Sequence, residues 1–163
     1  MENAFKLPQF LLRLSVGVGF ITPVLDRLGF LGPLGDRNIE WGNWDNFISY
    51  TGTLMPFLDK PAVNVMGVLA TIAETVIGIS LIIGFKTRLA AIGSFLLTLT
   101  FASLMSIFLG PKLPINFATF SVCTASLLLA TIPVYEWSID RFLMRPPKSD
   151  TGSTLLYQHN SRT

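Results

Sequence analysis

The sequence has one cysteine (Cys123), one histidine (His159) and few charges, and each scarcity removes a class of chemistry. A lone cysteine leaves no partner for an intrachain disulfide, a C-x-x-C redox pair or a cysteine-rich metal site. One histidine, set in a polar tail, deprives histidine-based metal and triad chemistry of their parts. Charged residues make up 13% of the 163 residues, against about 25% in an average soluble domain. Apolar residues supply half of the chain and mean hydropathy is +0.55, so the chain belongs in a lipid bilayer. A net charge of +2, with basic residues scattered along the chain, leaves no footprint for nucleic acid.

Apolar runs near the roughly 20 residues needed to cross hydrocarbon occur at 8–28, 62–84, 88–109 and 114–134. Pro8, Pro61 and Pro114 suit first helical turns, and Pro23 lies inside the first span, where it is expected to kink the helix near its outer end. The first run follows Lys6 as a signal peptide would. It lacks a small-x-small cleavage site and continues into Pro23 and Asp26, so it reads as a retained helix. Gly84-Phe85-Lys86-Thr87-Arg88 and Gly110-Pro111-Lys112 read as tight turns. Short connections make neighbouring helices antiparallel. The expected fold is an all-α membrane protein, a four-transmembrane-helix bundle over residues 1–145, followed by a flexible polar tail at 146–163. With the N-terminus inside, eight Lys and Arg fall on the cytoplasmic side and four outside, which places both termini in the cytoplasm of a plasma membrane.

The long outer connection, 29–61, carries Trp44, Phe47, Ile48, Thr51, Leu54, Met55 and Leu58 at helical spacing. It predicts a short amphipathic interfacial helix over 45–55, with Asp45 at its start. Trp41, Trp44, Phe47 and Tyr50 serve as an aromatic belt anchor, as an interaction site, or as a lid over a lipid-soluble ligand such as a quinone. Tyr135 and Trp137 read as anchors at the inner interface.

The candidate chemistry centres on Glu74, within the 22-residue apolar stretch from Val63 to Gly84. A carboxylate at that depth is costly unless paired, protonated or wet, and such groups face a protein interior. Gly67, Ala70 and Gly78 share its face and admit a neighbouring helix. Counted from the inner helix ends, Glu74 lies about 15 Å deep and Arg13 roughly 7 Å shallower. A long guanidinium stem can span that gap, so Arg13 is the expected partner and Arg88 its competitor. The pair either fixes helix register or handles a proton or quinone. Ser94, Thr98, Ala102 and Ser106, and separately Asn116, Thr119, Cys123 and Ala130, form small hydrogen-bonding packing stripes. Asn64 and Asn116 are candidates for lining a shallow outer pocket, and Cys123 for an inert packing residue.

Leu12-Arg13-Leu14 with Gly17 and Phe20, then Glu74, Gly78, Gly84 and Thr87-Arg88-Leu89-Ala90-Ala91, resembles the DoxX family of small membrane proteins. Trp44-Asp45-Asn46-Phe47 and Pro56-Phe57-Leu58 are similar to that family as well, and the likeness runs over about 8–134. The resemblance implies a four-helix membrane bundle in which Arg13, Glu74, Thr87 and Arg88 are recurrent polar positions. Its members include small subunits of thiosulfate:quinone oxidoreductases and proteins that assemble with redox-defence enzymes. No nucleophile–base pair, metal cluster or cofactor fingerprint is evident, which disfavours an autonomous enzyme. The first functional expectation is an accessory or structural subunit of a larger, redox-linked membrane complex, with partner subunits or a homo-oligomer. The alternative is the quinone-interacting membrane subunit of an oxidoreductase, and a small transporter or channel comes third.

Overall fold

The computed structural model describes residues 6–143, which hold seven helices and no β-strand. They are α1 (Lys6–Arg27), α2 (Trp44–Leu54), α3 (Lys60–Ile83), α4 (Thr87–Phe108), α5 (Lys112–Asn116), α6 (Thr119–Thr131) and α7 (Ile139–Leu143). Helices α1, α3 and α4 are each long and apolar enough to cross a membrane. On α3 the exposed residues Val65, Leu69, Ile72, Val76, Ile79 and Ile83 recur every three or four positions. An apolar stripe of that kind is solvated by lipid, and the chain is a small integral membrane protein. The polar tail 146–163, with His159, lies outside the described residues.

The expected fourth span is not one continuous helix. Its apolar run is divided between α5 and α6, and α6, with 13 residues, rises only about 20 Å. Between them Ala118 takes a left-handed conformation (φ +53°), which alanine rarely adopts. No glycine marks the break, so the residue types hide it. Pro114 is fully buried within α5 and does not open a span.

Other helix ends follow their residue chemistry. The Asp59 side chain accepts from Ala62 N at 3.1 Å and Pro61 fills the first turn of α3. Gly84 closes α3 at φ +72°, a conformation open to glycine. Helix α2 starts one residue earlier than expected, capped by Asn43 and not Asp45: Asn43 Oδ1 accepts from Asn46 N at 2.9 Å.

Helix α1 packs on α3, α3 on α4, α4 on α6, and α6 returns to α1. Gly17 and Gly78 let α1 and α3 approach closely. A Cβ on Gly17 would lie 3.0 Å from Gly78 O, and one on Gly78 would lie 3.1 Å from Gly17 O. Helices α4 and α6 meet through Ser94 Oγ and Ser126 Oγ, 2.6 Å apart, while buried Cys123 rests its Sγ 3.8 Å from Phe95 O. Val16, Phe20, Leu81, Ala91 and Leu129 form the apolar core at the Arg13 end. Tyr135 belongs to that core and not to an interface belt, since it is buried and its hydroxyl donates to Leu129 O at 2.9 Å. Trp137 remains exposed, edge-on to Phe10.

The short helix expected over 45–55 is present as α2, seated directly on the long helices. Gly67 makes room for it: a Cβ there would lie 2.5 Å from Ile48 Cδ1 and 3.2 Å from Phe47 Cε1. Buried Phe47, Thr51 and Leu54 face inward, so α2 roofs the Arg27 end of the molecule.

Candidate functional site

The antiparallel register of α1 and α3 decides what Glu74 meets. Gly17 faces Gly78 and Ile82, and Ile21 faces Gly78. Carried onward along α1, that register brings Arg27 against Thr71 and Glu74. The partner of Glu74 is therefore Arg27, and neither Arg13 nor Arg88. The sequence estimate of depth assumed that the helices begin level. Helix α3 instead runs past the end of α1 by the turns that carry α2, so Glu74 faces the last turn of α1.

Arg27 is held from all sides. Its Nε donates to Pro23 O at 3.0 Å, Nη1 donates to Thr71 Oγ1 at 3.0 Å, and Nη2 donates to Glu74 Oε2. The guanidinium carbon lies 4.1 Å from the Phe47 ring centroid and 5.5 Å from that of Trp41. Both contacts are in the range of cation–π attraction, which strengthens away from water. Next to it, buried Asp26 ties down the connection between α1 and α2: its carboxylate accepts from the backbone N–H groups of Glu40, Trp41 and Gly42. Neither Arg27 nor Asp26 was singled out from sequence. The Asp-Arg pair ending an apolar run, one turn after Pro23, is the signal that was there to be used.

The pair forms part of the wall of a cavity of about 720 Å³. Val16 and Phe20 of α1, Met66 and Ala70 of α3, and Phe101 and Met105 of α4 give it an apolar lining, with Trp41, Phe47 and Tyr50 across the roof. The Glu74 side chain keeps 7% of its surface open against 1% for Arg27, and its second oxygen has no hydrogen-bond partner among the described residues. That open surface faces the cavity. Tyr50 contributes a phenol whose pKa is raised by burial and, secondarily, by Glu40, which keeps it a neutral donor. Three of the four outer-loop aromatics, Trp41, Phe47 and Tyr50, thus line this space. Trp44 does not: its indole N–H donates to Asn64 Oδ1 at 2.9 Å, and neither Asn64 nor Asn116 lines the cavity.

Arg13 and Thr87 belong to a second cluster at the opposite end. Arg13, fully buried, donates from Nη2 to Trp137 O at 2.7 Å and from Nη1 to Glu136 O at 3.4 Å. Asp140 accepts from Lys86 N and Thr87 N, both at 2.8 Å, and so caps α4 from the far end of the chain. Gly84 is pressed against Ser138 and Arg13, where any side chain would collide. This cluster straps the segment after α6 beneath the other helices. Arg88 is exposed and joins neither cluster.

The family model described as DoxX matches residues 8–107, more than half of the chain. The chain belongs to the DoxX family. The matched region of this DoxX protein spans α1 to α4, and so contains Arg13, Arg27, Glu74 and Thr87, but ends before α5. No curated protein and no solved structure matches the chain.

Proposed function

We propose that this DoxX protein is the ligand-binding membrane subunit of a larger redox-linked complex, and that its cavity takes a lipid-soluble molecule of the quinone class. The observation that carries the reading is the carboxylate of Glu74, paired through one oxygen with Arg27 and open through the other to an apolar cavity. Small-molecule sites are concave, roughly 300–1,000 Å³, mostly apolar, and carry a few convergent polar groups. The residues fit a flat ring with oxygens at its edge. Glu74 accepts from a hydroxyl of the reduced quinol, Tyr50 donates to a carbonyl of the oxidised quinone, and Phe101 and Met105 pack against the ring faces in either form. A bound quinone supplies two-electron chemistry, while Arg27 holds the Glu74 carboxylate in place and balances its charge. The family resemblance to subunits of quinone-coupled oxidoreductases points the same way. In this reading α5 and α6 complete a fourth crossing, both termini are cytoplasmic, and a partner subunit contributes the electron donor.

Purified protein in detergent is titrated with a short-chain quinol, kept reduced, while tryptophan fluorescence and thermal stability are followed. Trp41 in the cavity roof makes the fluorescence sensitive to occupancy. Saturable quenching with stabilisation is expected, and both should disappear in Glu74→Gln if that variant remains folded. A response that never saturates, or one indifferent to Glu74→Gln, contradicts the reading.

A further inference from the structure

We infer that the cavity opens sideways to the lipid through a gap between α1 and α6, and that its ligand lays a hydrocarbon tail in that gap. The inference rests on the ligand-binding reading above and adds the shape of the ligand and its route.

At the Arg13 end α1 and α6 are in contact, with Val16 in one core with Leu129 and Ala130. Toward the Arg27 end they part. The break at Ala118 delays the start of α6 to Thr119, and among the described residues α1 is left open around Gly19. Ser15, Gly19 and Thr22 all line the cavity, yet all are exposed. A Cβ added to Gly19 would meet nothing within 4 Å. The other rim is Phe117, itself 54% exposed, together with Thr119 and Val122. From Ser15 to Thr22 the gap measures about 10 Å along α1 at 1.5 Å per residue, which is ample for one alkyl or prenyl chain.

The rim lies within a membrane-spanning helix, so what meets it is hydrocarbon and not water. It also carries one polar feature. Pro23 has no N–H to give the Gly19 carbonyl, so that oxygen lacks its helical donor at the mouth of the cavity. Lipid cannot satisfy such a group, whereas a hydroxyl-bearing head passing inward can. A head group that reaches Glu74 and a tail left in the bilayer match the two ends of this space.

Gly19→Leu puts a branched apolar side chain at the gap, on a Cβ that meets nothing within 4 Å. Gly52→Leu is the matched control: it is also a helical glycine with nothing within 4 Å, but it does not line the cavity. Binding of a methyl-substituted benzoquinol and of its decyl-chain homologue, both kept reduced, is measured for each variant in one detergent, so partitioning cancels. The wild type should bind both, and Gly19→Leu should bind the tail-less ring normally while losing on the order of tenfold or more for the decyl form, as a tail forced into filled space implies. Gly52→Leu should match the wild type. If Gly19→Leu binds the decyl form as well as the wild type does, or if the wild type accepts only the tail-less ring, the tail lies elsewhere and this inference falls while the binding reading stands. If the wild type binds neither compound, both fall together.

Discussion

Arg27 is the last residue of α1, a position where a basic side chain ordinarily reaches outward to headgroups. Here it turns inward, because Glu74 supplies a countercharge and Pro23, Thr71 and two aromatic faces take up the rest of the guanidinium. Removing one member of such a buried pair typically costs about 3–5 kcal/mol, since the other charge is left uncompensated. Glu74→Ala and Arg27→Ala should therefore each lower thermal stability in detergent sharply. The double change Arg27→Met with Glu74→Leu should recover most of the loss, and Arg88→Ala should do almost nothing. Equal, additive losses in the double variant would show that the pair is not coupled. That Glu74 faces the interior was legible in the sequence, because Gly67, Ala70 and Gly78 share its face and each now has a place: α2 against Gly67, the cavity beside Ala70, α1 against Gly78. Its partner was not legible. Depth counted from helix ends requires helices that start level, and α3 overruns α1.

Among the elements, the turns announced themselves and the long-range caps did not. Gly84 and Gly110 both take positive φ at the turns expected from their residues, and of the Ser94-Thr98-Ala102-Ser106 stripe the first three are buried as the spacing implied while Ser106 is half-buried. The cap on α4 comes from Asp140, which lies 53 residues beyond Thr87, and no local pattern reveals a contact of that kind. Asp140→Ala should cost about 1 kcal/mol, the usual value of a helix cap. It should also loosen the segment that Arg13 holds, which hydrogen exchange at Trp137 and Ser138 would register; unchanged protection there would remove Asp140 from the strap. The α1–α3 crossing offers a sharper test. Gly78→Leu must push against the Gly17 backbone, and overpacking of this sort costs about 1–3 kcal/mol or more. Gly52→Leu, in open space, should be neutral or mildly stabilising, since leucine favours helix by up to about 1 kcal/mol over glycine.

For the molecule as a whole, the consequence of α2 is a roof. The connection from α1 to α3 is pinned by Asp26, seated on Gly67, and closed over the ion pair by Trp41 and Phe47. The orientation of this assembly can be read with an impermeant maleimide on a Cys123→Ser background in intact cells. A cysteine replacing exposed Asp36 should react from outside and one replacing exposed Lys86 should not; the reverse pattern would invert the orientation. The central claim is that the cavity walled by Arg27 and Glu74 is where a lipid-soluble ligand binds. A photoreactive azido-quinol, irradiated with the protein and mapped by peptide mass spectrometry, tests it most directly. The account predicts labelling at cavity residues such as Phe101, Met105 and Tyr50, suppressed by excess unmodified quinol and by Glu74→Gln. Labelling confined to the lipid-facing residues Ile72, Val76 and Leu96, and insensitive to competitor, would contradict it.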